Sequence, residues 1–103
     1  DKFVTYLVLQ AVTWDWDGYP INRNNYRIYH DPKRDKIVFL PSGMDQMFGD
    51  PNGPILPGFQ GMVAQAVINS KEGKKRYYAR LREIREKVFL VPKWHKRLDE
   101  LEA

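Results

Sequence analysis

The sequence predicts an α+β fold that is mainly helical and carries one β-hairpin. Three observations lead there. Apolar residues recur at helical spacing near the start, two short apolar runs bracket a turn in the first half, and helical periodicity dominates from Met62 onward. A length of 103 residues allows one domain at most.

The elements follow in order. Phe3, Val4, Leu7, Val8, Ala11 and Val12 fall at i, i+1, i+4 and i+5, which builds a broad apolar helix face with Tyr6, Gln10 and Thr13 on the other side. The stretch "WDWDGYPINRNN" then ends the helix, because Asp, Asn, Gly and Pro favour turns over periodic structure. "NYRIYH" and "KIVFL" flank "DPKRD" and read as two strands and a turn. The first alternates, whereas the second is continuously apolar and is expected to be the more buried. "DPNGPILPG" reads as an irregular loop. Met62, Val63, Ala66 and Val67 mark a short helix ended by "NSKEG", and Tyr77, Leu81, Ile84 and Val88 form the stripe of a longer one. Pro92 breaks that helix before a last short one in "KWHKRLDELEA".

Composition excludes several classes. The chain is 43% hydrophobic and 29% charged, which is globular rather than disordered. No apolar run approaches the ~20 residues of a membrane helix, so no membrane span is expected. With no cysteine there is no disulfide framework, Cys-type zinc site or thiol nucleophile; the compartment is left open. From Lys71 onward eleven Lys or Arg stand against six Asp or Glu, more than the whole net excess of +4. Acids interleave with these bases, and Glu83 and Lys87 make a favourable i,i+4 pair. A solvated helix face therefore outweighs a specific nucleic-acid surface.

Two acidic stretches carry the candidate chemistry. "SGMDQMFG" places Asp45 among methionines and before Phe48-Gly49, directly after a strand. Taken alone, Asp45 reads as a turn-capping residue. The loop "WDWDGYPINRNN" offers Asp15, Asp17, Asn22 and Asn25, which taken alone make an Asx-rich turn, or a calcium site of Asp15, Asp17 and Asn22. The calcium version lacks the spaced Gly and terminal Glu of an EF-hand. His30 and His95 belong to no metal motif, and no Gly-x-Ser-x-Gly elbow occurs. Trp14, Trp16, Tyr19 and Tyr26 lie near Arg23 and Arg27; packing explains such aromatics more often than base stacking does.

In order and spacing, "WDGYPINRNNYRIYHDP", "KIVFLPSGMDQMFG" and "GKKRYYARLREIREKVF" together resemble the CotH family, the spore coat protein H-like atypical protein kinases. The resemblance spans nearly the whole chain. It implies a single partial domain over residues 1–103, a half-domain related to a protein-kinase-like C-lobe. It further implies phosphoryl transfer from ATP to Ser or Thr of a protein, with Mg²⁺ or Mn²⁺ bridging the phosphates. Under it, Asp45 is the metal ligand and Phe48-Gly49 the pivot behind it. Asp17 is the residue that accepts or orients the substrate hydroxyl. Asn22 stands at the Asp-to-Asn interval of kinase catalytic loops, while Asn25 directly precedes the strand; either is the cofactor-binding Asn. Many relatives carry Asp-x-Asp before Phe-Gly, and the first of those positions here is Gly43.

The chain has no glycine-rich phosphate loop, and no strand-borne Lys precedes Asp17, so these residues would cover one side of a nucleotide. A protein substrate is the expected partner of the enzyme. The alternative function is a non-catalytic binding or assembly module that kept the fold, with a protein partner. A half-lobe is also expected to leave the first helix exposed around Phe3, Leu7 and Val8.

Overall fold

A computed structural model describes residues 1–103. Its order is α1 (Lys2–Val12), α2 (Tyr19–Asn22), β1 (Tyr26–Asp31), β2 (Lys36–Pro41), a 3-10 turn (Met44–Gln46), α3 (Met62–Asn69), α4 (Lys71–Lys87) and α5 (Val91–Glu102). The fold class is α+β, with 53% of residues helical and the strands confined to one antiparallel hairpin. Its register pairs Tyr26 with Pro41 and Ile28 with Phe39. His30 and Asp35 meet at 2.8 Å near the turn.

The core lies where α1 and α3 pack on α4, with the hairpin set against α1. Leu7, Val8, Ala64 and Tyr77 are wholly buried there, joined by Val4, Tyr6, Tyr19, Phe59 and Ile84. α3 passes into α4 through Ser70 alone. That residue caps α4, its hydroxyl accepting from the Gly73 N–H at 3.0 Å, and it donates to the Val67 carbonyl at 2.8 Å. A Cβ on Gly73 would sit 2.0 Å from that same carbonyl, so this sharp corner needs glycine. Pro92 falls in the first turn of α5, where its missing N–H costs no helical bond.

Three sequence expectations change. The supposed polar side of α1 is not polar in its surroundings: Tyr6 and Gln10 are buried with Val4, Leu7, Val8 and Ala11. Because α4 covers one side and the acidic loop another, α1 is the central helix, and Leu7 and Val8 are not exposed at all. The continuously apolar β2 is only partly covered. Val38 and Phe39 are half-buried, while Ile37 and Leu40 face solvent, since a two-stranded ribbon has only α1 to lean on. The apolar stripe left open is on α5 instead, where Val91, Trp94, Leu98 and Leu101 are exposed and no residue is buried. No helix is long and apolar enough to cross a membrane.

Candidate functional site

Helix α1 ends at Thr13, and the chain turns sharply. Trp14 takes a left-handed conformation, φ 49°. The next residue, Asp15, is wholly buried behind the loop, where its N–H donates to the Gln10 carbonyl at 2.9 Å. The Gln10 Nε2 donates to Asp15 Oδ2 at 2.7 Å. Burial pushes the Asp15 carboxyl above its ordinary range; the Gln10 bond opposes this, and the charges of Asp17 and Asp45 add to it. Asp15 therefore does not join Asp17 and Asn22 in a calcium cage.

Asp17 is half-buried and is the focus of the loop. Asn22 Nδ2 donates to its Oδ1 at 2.7 Å, and Asn25 Nδ2 donates to its Oδ2 at 2.7 Å. Asn24 Nδ2 adds a longer contact to Oδ2, 3.3 Å. Both candidate asparagines thus converge on one carboxylate. The single turn α2 makes this possible by bringing Asn22 back over Asp17, and Arg23 and Asn25 reverse the chain with positive φ of 59° and 45°.

Asn25 also reaches the second acidic stretch. Its Nδ2 lies 3.4 Å from the Gly43 carbonyl, and its own carbonyl accepts from Ser42 N–H at 3.1 Å. Gly43 opens the 3-10 turn that presents Asp45 to solvent, with Gln46 Nε2 3.3 Å from Asp45 Oδ2. Glycine is favoured here on two counts. Its φ is 57°, and a Cβ there would lie 3.0 Å from the Asn25 side chain. A paired aspartate at this position would be strained and would press on the residue that joins the two loops. Phe48 is exposed with φ 62°, and its N–H donates to the Thr13 carbonyl at 2.7 Å, tying the Phe-Gly pair to the end of α1.

Sequence reasoning missed two supports of this site. One is the Gln10–Asp15 pair, whose only signal was a Gln on a helix face five residues before an Asp. The other fastens α2 from a distance. Tyr19 Oη accepts from the Val63 N–H at 3.0 Å, and the Pro20 carbonyl accepts from Gln60 and Gly61 at 2.7 and 3.1 Å. The Tyr19 ring packs on Tyr26 and Phe39 at 4.8 and 4.7 Å, so this part of the aromatic zone is packing.

The arrangement offers oxygen donors only. No three His, Cys, Asp or Glu side chains converge as a metal cage. Asp45 and the amide oxygens of Asn22 and Asn25 are hard donors, the kind of ligand that Mg²⁺ takes.

Comparisons with known proteins agree with the sequence resemblance. Over 50 residues the chain is 38% identical to Invasin CotH3 of Rhizopus delemar, a stretch that covers 48% of this chain and 8% of that protein. The chain thus matches less than a tenth of that relative's length. No solved structure matches. The CotH kinase protein family matches across residues 1–103, the entire length, and the chain belongs to that family.

Proposed function

We propose that this chain is the hydroxyl- and metal-positioning half of a CotH-type atypical kinase, acting on Ser or Thr of a protein. The observation that carries the reading is Asn25, hydrogen-bonded at once to Asp17 and to the turn that bears Asp45. Phosphoryl transfer asks little covalent chemistry of a protein and much positioning, so a linked pair of acidic loops is the relevant feature.

In this reading Asp17 orients the substrate hydroxyl and takes its proton as the oxygen attacks the γ-phosphorus and the bond to the β-phosphate oxygen breaks. The asparagine amides hold Asp17 through their Nδ2 atoms and leave their carbonyl oxygens for the cofactor side. Asn25 is the better placed of the two, since it alone spans both loops. Asp45 anchors Mg²⁺ or Mn²⁺, which bound with ATP would neutralise charge developing on the phosphates. Residues beyond this chain would supply the other side of the nucleotide.

A second reading is a non-catalytic binding or assembly module. Two observations favour it: a relative carries the name invasin, and the α5 face is open. Calorimetry with ATP and Mg²⁺ separates the two. Asp45→Ala is expected to abolish metal-dependent nucleotide binding. Asp17→Asn is expected to spare binding and cut phosphoryl transfer by about 10²-fold or more. If the unaltered protein, in its longest natural form, binds no nucleotide with metal, the kinase reading fails and the module stands.

A further inference from the structure

Three buried side-chain polar atoms have no hydrogen-bond partner: Tyr6 Oη, Gln10 Oε1 and Asp15 Oδ1. They belong to one cluster. Gln10 and Asp15 are bonded through their other head-group atoms, Nε2 to Oδ2 at 2.7 Å, and Tyr6 lies close enough for a charge on Asp15 to be felt at its phenol. Orphaned buried polar atoms are costly, about 1–3 kcal/mol each, so two on one bonded pair call for an explanation.

The leftovers on Gln10 and Asp15 are both oxygens. An ionised carboxylate only accepts, so no ionised form of the pair can satisfy them. A carboxylic acid differs. It presents a carbonyl oxygen and a hydroxyl, and a primary amide presents an N–H and a carbonyl oxygen. The two groups match edge to edge with two hydrogen bonds.

We propose that Asp15 is a neutral carboxylic acid in the folded protein and, with Gln10, forms a two-bond acid–amide clamp that holds the start of the Asp17 loop to α1. The existing bond from Gln10 Nε2 is one edge, and a hydroxyl at Asp15 Oδ1 donating to Gln10 Oε1 is the other. One proton thus removes two of the three orphans. Asp15 is then a positioning residue: its backbone N–H is bonded to Gln10 and its carbonyl accepts from Gly18 N–H at 3.0 Å, on either side of Asp17. Gly18 belongs to the same device, because a Cβ there would fall 1.8 Å from Gln10 Oε1.

The surroundings favour the neutral form. The titratable groups facing the pair are Tyr6 of α1, Asp17 of the same loop and Asp45 of the 3-10 turn, with Tyr19 and Tyr26 beyond Tyr6. None is a cation. Burial is the largest influence on Asp15 and raises its pKa, and both neighbouring carboxylates act in the same direction. A raised folded-state pKa means that the folded protein holds a proton the unfolded chain has released. Stability is therefore fully present below the ordinary Asp value of about 4 and falls as pH rises toward the folded value.

The link to catalysis rests on the role proposed for Asp17; the protonation does not, so its test needs neither metal nor nucleotide. Carbon-13 NMR of the side-chain carboxyls of the whole chain, titrated with pH, is expected to keep Asp15 at the protonated shift well above pH 4. Asp15→Asn replaces the hydroxyl by an N–H donor. It is expected to match or exceed the unaltered protein in Tm at pH 7 and to flatten the decline of stability above pH 4. An Asp15 signal that titrates near pH 4 overturns the proposal, as does an Asp15→Asn chain that melts lower at pH 7. Loss of nucleotide binding in the unaltered protein would sink the kinase reading and leave the clamp standing.

Discussion

At the scale of single residues, the two acidic loops depend on backbone conformations as much as on side chains. Gly43 combines a positive φ with a tight approach of the Asn25 side chain, whereas Gly58 has nothing within 4 Å of where its Cβ would be. Gly43→Ala is expected to cost about 1–2 kcal/mol in chemical denaturation, the cost of a side chain in the left-handed region. Gly58→Ala is expected to be neutral or slightly stabilising. The Asp17, Asn22 and Asn25 group was legible in the sequence because its members lie within eight positions and hydrogen-bond locally. The Gln10–Asp15 pair was not legible. A Gln among apolar residues at helical spacing marks the solvent side unless something else covers it, and what covers it is the loop it holds.

At the scale of elements, the helices and the hairpin were readable from periodicity, with α2 and the 3-10 turn lost inside stretches dense in turn residues. Burial was less readable, because it depends on which element lies outside. α4 carries its bases among acids, as its spacing suggested. Lys87 and Arg80 both reach Glu83, and the Arg76 guanidinium holds the Glu72 carboxyl below its ordinary value. α5 is the least anchored element. Its attachments are the Trp94 Nε1 bond to the Val88 carbonyl at 3.0 Å and the stacking of Trp94 on Phe89 at 5.5 Å. Hydrogen exchange is expected to show α5 amides opening at little cost, while those of Leu7 to Ala11 approach the global value. Trp94→Ala should lower helix content and shift the main unfolding transition by no more than about 0.5 kcal/mol.

At the scale of the molecule, the interior is small. Only 17 of 103 residues are buried, and the radius of gyration is 14.6 Å against about 13 Å for a compact chain of this length. Each core residue then carries a large share of the stability. Leu7→Ala is expected to cost about 2–5 kcal/mol in urea unfolding, a large part of the roughly 5–15 kcal/mol of a typical domain. A value below 1 kcal/mol would mean that α1 is peripheral after all. The bond from Val63 to the Tyr19 hydroxyl bridges 44 positions. On the ribosome, residues emerge at about 5–20 per second, so Tyr19 waits roughly 2–9 s for its partner. During that interval the local bonds of Asn22 and Asn25 to Asp17 and the packing of Tyr19 on Tyr26 and Phe39 can form, but α2 lacks its anchor on the far side. The turn that carries Asn22 is therefore made seconds before the segment that clasps it from outside.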